Sequence, residues 1–152
     1  MEIPRRQERL LIVDDEASIL FAMREYFTLH GFEVDCADEK GEAEMLLKKE
    51  CYAAVIADLR MSGIDSNEGL DIVRCVRKQY PSMRIIILTA YGSPEIEAEA
   101  RCRGADAFLS KPRPLREVAR ILFDLLGIPY IDFKSDPGYR SEIGSEMRSE
   151  MQ

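Results

Sequence analysis

At 152 residues the chain suits one globular domain with a tail, because a chain of that size buries enough apolar surface for a single core but hardly two. Its composition, 46% hydrophobic and 32% charged, is that of a soluble globular protein, and a formal charge of -7 excludes a nucleic-acid surface made by net charge alone. The four cysteines, Cys36, Cys51, Cys75 and Cys102, form no CxxC pair and His30 is the sole histidine, so a zinc site is poorly supported.

The first apolar run, in "MEIPRRQERLLIVDDE", is too short for a signal sequence, and no later run is long enough to span a bilayer. A cytoplasmic protein is expected, with no membrane or nucleic acid as direct partner and with cysteines acting as small apolar packing residues.

Runs rich in Val, Ile and Leu alternate with segments of helical period, the pattern of a parallel sheet covered by helices on both faces. Strands are expected near Leu10–Val13, Glu33–Cys36, Ala54–Ala57, Arg84–Leu88 and Ala107–Leu109. Helix one follows Asp15, carries Ile19, Leu20, Met23 and Phe27 on one stripe and stops at Gly31. Helix two, about Glu39 to Lys49, buries Ala43, Leu46 and Leu47. Helix three, from about Asn67, buries Leu70, Val73 and Val76 before Pro81 ends it. Helix four, about Ser93 to Arg103, offers only Ile96 as a large apolar anchor and should be the most weakly held. Helix five, from Pro114, repeats the helical spacing with Leu115, Val118, Ile121, Leu122 and Leu125. After Gly127 the pattern fails. Residues 1–127 are therefore read as the domain and 128–152 as a largely flexible tail, in which Ile128, Tyr130, Ile131 and Phe133 are the residues able to fold back or meet a partner.

In an open α/β sheet, ligands bind beyond the carboxyl ends of the strands, where strand order reverses. Asp14 and Asp15 end strand one, Asp58 ends strand three, Thr89 ends strand four and Lys111 lies just beyond strand five, so five polar residues converge on one rim. Taken singly each has a bland reading: a turn former or helix cap for Asp15, a cap for Thr89, a solvated charge for Lys111. Their coincidence, each at a strand end and in order, favours function. Three clustered carboxylates repel one another unless a cation joins them, and Mg²⁺ suits a site of one or two carboxylates, a backbone carbonyl, waters and a phosphate oxygen. The remaining carboxylate is then available as a nucleophile.

The motifs "IVDDE", "VIADLRM", "ILTAYG" and "GADAFLSKP", in this order and spacing, closely resemble the receiver domain of bacterial two-component response regulators, over about Arg9 to Gly127. The resemblance implies a flavodoxin-like (βα)5 fold with strand order 2-1-3-4-5. It implies that Asp58 is the phosphoacceptor, taking a phosphoryl group from the phosphohistidine of a sensor histidine kinase or histidine phosphotransfer protein. Asp14, Asp15, Asp58 and the backbone carbonyl of Arg60 are then the Mg²⁺ ligands. Lys111 pairs with a phosphoryl oxygen and Thr89 donates a hydrogen bond to it. Pro112 is expected to follow a cis peptide. In the implied switch, Thr89 moves toward the phosphoryl group and Phe108 fills the vacated space, although a Phe after a strand is more often plain core.

The chain departs from the family pattern in having Ser62 where many relatives have proline, and in a longer "GIDSNEGLDIV" loop, so docking beside Asp58 should differ. Arg60 and Tyr91, each two residues beyond a rim residue, are expected to restrict attacking water and prolong the phosphorylated state. The leading expectation is a single-domain signalling phosphoacceptor, not an enzyme acting on an external substrate, which signals to an effector protein through conformational change. A phosphorelay intermediate and a phosphorylation-independent interaction module are the alternatives. A phosphorylation-dependent dimer through the helix four and helix five face stays open. A flavodoxin is disfavoured because "DDEAS" would repel the phosphate of FMN, and a DxD phosphatase because position 60 is Arg60.

Overall fold

The computed structural model describes residues 8–59 and 67–130. Ten elements alternate: β1 (Arg9–Val13), α1 (Ala17–Leu29), β2 (Glu33–Ala37), α2 (Lys40–Lys49), β3 (Ala54–Ala57), α3 (Asn67–Gln79), β4 (Arg84–Thr89), α4 (Pro94–Arg103), β5 (Ala107–Ser110) and α5 (Leu115–Leu126). All four strand pairings are parallel and the order is β2-β1-β3-β4-β5, as expected from the sequence. Strand and helix limits move by a residue at several ends, which is the usual fraying of boundaries.

The central strands β1, β3 and β4 bury both faces, and successive residues divide between two cores because side chains alternate across a strand. Leu11, Val13, Val55, Ala57, Ile85 and Ile87 face one way and pack with Ala43 and Leu47 of α2, Val73 and Val76 of α3 and Ala100 of α4. Leu10, Ile12, Ile56, Ile86 and Leu88 face the other way and meet Met23 and Phe27 of α1 and Val118, Leu122 and Phe123 of α5. One register thus assigns each helix to its face.

The terminators behave as their chemistry dictates. Gly31 follows α1 at φ +92° and Gly127 caps α5 in the left-handed region, where a Cβ is costly. The bland reading of Asp15 as a helix cap is not the one the chain uses: the N-cap of α1 is Glu16, and the carboxylate that accepts its backbone N–H, at 2.9 Å, belongs to Asp14. In α4 the only fully buried residue is Ala100, while Ile96 is half-buried; Ser93 caps the helix by accepting the Ile96 N–H at 3.1 Å. At the far end Gly104, at φ +120°, leaves room for Arg77, whose guanidinium donates to the carbonyls of Gly104, Pro81 and Met83 and to Asp106. Beyond α5, Ile128 and Tyr130 pack on the α1–α5 side, and the residues of the expected tail from 131 onward lie outside the described set.

Candidate functional site

Parallel pairing sets the carboxyl ends of the strands side by side, and the backbone continues that register just past them. The N–H of Asp14 bonds to Ala37 O at 3.0 Å, that of Asp58 to Val13 O at 2.9 Å and that of Lys111 to Thr89 O at 2.9 Å. The ladder therefore carries each rim residue to a fixed height. Asp14, Asp58 and Thr89 are 3%, 4% and 0% exposed and are the buried polar residues among those described.

The Lys111 ammonium joins the two buried acids, lying 2.6 Å from Asp14 Oδ2 and 2.9 Å from Asp58 Oδ2. Such charge-assisted bonds offset the cost of burial only while both partners are present. Burial pushes the Asp14 carboxyl above the usual carboxylate range, against the opposing pull of Lys111 and of the Glu16 N–H. Burial acts downward on the Lys111 ammonium, but the hydrogen bonds and charges of Asp14 and Asp58 outweigh it, so its pKa ends above the ordinary lysine value. The Lys111–Pro112 peptide is cis, as expected.

Asp15 is exposed and offers its carboxylate beside that of Asp14. With Glu16 these form a trio whose ligand oxygens all lie within 4.8 Å of one another. All donors are hard carboxylate oxygens, and the buried member is one whose ionised form burial disfavours, so the set fits a divalent cation of the Mg²⁺ type. Glu16 was not among the ligands expected from the sequence. Its signal there is only the third acid of "DDE", which a helix start explains equally well. Asp58, expected as a ligand, is met here by Lys111, and Arg60 lies outside the described residues.

Thr89 Oγ1 accepts the N–H of Tyr91 at 3.2 Å, a local turn bond, and Tyr91 itself is exposed. Phe108, opposite Ile87 in the β4–β5 register, is half-buried and packs with Ile96 against the α2–α4 side core. Both switch residues expected from the sequence therefore flank the β4–α4 turn.

The family model for the response regulator receiver domain matches residues 10–122. This chain belongs to that family. Receivers are signalling phosphoacceptors of two-component systems and bind Mg²⁺ at an acidic pocket, which here corresponds to the Asp14, Asp15 and Glu16 cluster. The receiver is 35% identical over 107 residues to the alginate biosynthesis transcriptional regulatory protein AlgB of Pseudomonas aeruginosa, a match that covers 70% of this chain and 23% of AlgB. It thus spans about a quarter of that relative's length. Among solved structures, a CheY-like receiver domain protein from Methanospirillum hungatei aligns with a TM-score of 0.75 at 26% identity, covering 80% of this chain and 95% of the other. The beryllofluoride-activated NtrC4 receiver domain dimer aligns with a TM-score of 0.71 at 26% identity, covering 78% and 96%. No helix among the described residues is long and apolar enough to cross a membrane.

Proposed function

We propose that this receiver, residues 1–127 with residues 128–152 as its tail, takes a phosphoryl group from the phosphohistidine of a sensor histidine kinase onto Asp58. A carboxylate oxygen of Asp58 attacks phosphorus, the N–P bond to the kinase imidazole breaks and the imidazole nitrogen keeps the electron pair. The observation that carries this reading is the half-buried Lys111 ammonium, 2.9 Å from Asp58 Oδ2 and 2.6 Å from Asp14 Oδ2: a fixed positive charge at a nucleophilic carboxylate, at the strand-end rim. Lys111 exchanges part of this pairing for a phosphoryl oxygen, and Thr89 gives up its turn bond to Tyr91 to donate its hydroxyl to another.

Asp14, Asp15 and Asp58, with the Arg60 carbonyl, would hold Mg²⁺, and Glu16 stands within reach of the same ion through Asp14 and Asp15. When bound, the ion supplies positive charge against the phosphoryl oxygens. The withdrawal of Thr89 toward the rim leaves space that Phe108 fills, and because a phenyl ring has no hydroxyl the output is read as shape. The signal passes by protein contact in the cytoplasm, to an effector or, in a relay, to a second histidine-bearing protein. The activated NtrC4 receiver dimer supports pairing of two phosphorylated copies as one form of that output.

Intact mass after incubation with acetyl phosphate, with and without Mg²⁺, tests this. The expected result is a Mg²⁺-dependent gain of one phosphoryl group in wild type and none in Asp58→Ala. A gain retained in Asp58→Ala would move the acceptor elsewhere. Absence of both an acetyl phosphate adduct and a beryllofluoride complex in wild type would reduce the chain to a phosphorylation-independent module.

A further inference from the structure

Gly69 stands buried in the first turn of α3, and its conformation does not call for glycine. The positive-φ glycines among the described residues are Gly31, Gly104 and Gly127, and a glycine within a helix weakens it relative to alanine. Space supplies the reason. A Cβ at Gly69 would overlap the Cα of Leu59 and lie 2.9 Å from the carbonyl oxygens of both Asp58 and Leu59. All three opposing atoms are backbone, so no change of rotamer makes room and the Asp58–Leu59 peptide itself has to move.

The same contact carries a hydrogen bond. The first N–H groups of a helix have no partner within it, and that of Gly69 donates to Leu59 O at 3.3 Å. On the other side of the acceptor, the Asp58 N–H donates to Val13 O at 2.9 Å. Asp58 is thus gripped twice, by β1 through its own N–H and by α3 through the residue that follows it. Leu59 is fully buried and packs in the α2–α4 side core with Leu70 and Val73, which leaves that grip no slack.

We propose that Gly69 is a positioning residue for phosphoryl transfer: its bare backbone lets the first turn of α3 rest directly on the Asp58–Leu59 peptide and so fixes the height at which the Asp58 carboxylate stands. This rests on the receiver reading above, in which Asp58 is the nucleophile. Gly69 carries no side chain that could touch phosphorus or metal, and it acts only through the backbone it supports. In-line attack tolerates little misplacement, so a methyl at position 69 lowers the rate by moving the nucleophile.

The experiment compares wild type, Gly69→Ala, Val76→Ala and Gly41→Ala at a temperature where circular dichroism shows each folded. Val76 is fully buried two turns further along α3, so its truncation lowers stability away from Leu59. Gly41, in α2, would bring an added Cβ no closer than 3.8 Å to its neighbours and controls for the substitution itself. Calorimetry gives the Mg²⁺ dissociation constant without any phosphoryl donor, and intact mass gives the rate of phosphorylation by acetyl phosphate at saturating Mg²⁺. Gly69→Ala is expected to weaken Mg²⁺ binding by about fivefold and to slow phosphorylation by about thirtyfold, the scale on which misplaced reacting groups lose rate. Both controls should stay within about twofold of wild type, as distant and independent sites do. Equal losses in Gly69→Ala and Val76→Ala, or none in Gly69→Ala, would overturn the role of Gly69 while wild-type phosphorylation stands. Should Gly69→Ala not fold, the wild type decides by nitrogen-15 NMR. Its Gly69 amide should shift during Mg²⁺ titration with the midpoint of the Asp58 amide, and an unmoved Gly69 signal would refute the support. Failure of wild type to gain a phosphoryl group would overturn the receiver reading too, and is recognisable because it precedes any comparison of variants.

Discussion

With its ammonium within hydrogen-bond distance of two buried carboxylates, Lys111 is held in charged form beyond the pH at which a free lysine loses its proton. The unfolded chain gives up that proton near the ordinary value of 10.5, whereas the folded chain keeps it to higher pH. The stabilisation is therefore complete below the unfolded value and lost as pH rises through the folded one. The Tyr52 phenol, which donates to Asp35 Oδ2 at 2.7 Å and is also raised, with burial as the largest cause, contributes a loss of the same sign starting near 10.0. Urea unfolding followed from neutral to strongly alkaline pH should show stability falling from about pH 10 upward. The part due to lysine should be missing in Lys111→Met, and the part due to tyrosine in Tyr52→Phe. Lys111→Met should in addition lose about 3 kcal/mol at neutral pH with divalent cations chelated, because two buried carboxylates are left facing each other. A wild-type curve that is flat across the alkaline range would contradict the assigned role of the ammonium.

Among the helices, α4 is held differently from the rest. It buries Ala100 alone, yet both of its ends are fixed, by the Ser93 cap at one and by Arg77 beneath Gly104 at the other. Helices with little buried apolar surface open first, so its amides should exchange with solvent faster than those of α1 or α5 in hydrogen exchange followed by mass spectrometry. Ser93→Ala should accelerate the first turn further, by about fivefold, corresponding to the ~1 kcal/mol of an N-cap. Exchange in α4 as slow as in α5 would show that the end contacts alone suffice. The sparse apolar face of this helix was legible in "SPEIEAEARCRG", as were the five strands and the rim, since apolar period and strand-end polarity are local patterns. The clamp was not. Arg77 reaches Gly104 and Asp106 across 27 and 29 positions, and an arginine near the end of an amphipathic helix looks like any solvated charge. Glu16 follows Asp14 and Asp15 directly in sequence, but a third acid at a helix start reads equally well as an N-terminal charge, so its place in the cluster carried no signal of its own.

At the scale of the whole molecule, one long-range contact lies away from the rim. The hydroxyls of Tyr26 and Tyr130 are 2.8 Å apart across 104 positions, the His30 ring stacks on Tyr130 with centroids 5.4 Å apart, Phe123 meets it edge-on and the Arg120 guanidinium lies 5.8 Å from its centroid. Aromatic pairs and a cation at such distances contribute beyond their area, so Tyr130→Ala should cost about 2 kcal/mol in urea unfolding. The cost should fall sharply in a Tyr26→Phe, Phe123→Leu background if the cluster acts as a unit.

The cluster also ties Tyr130, just beyond α5, back onto α1. Both α1 and α5 start at the rim and run away from it, and the 12 residues of α5 cover about 18 Å. Tyr130 is thus fastened at the opposite pole of the molecule from Asp58. Loosening that fastening should therefore leave the rim around Asp58 undisturbed.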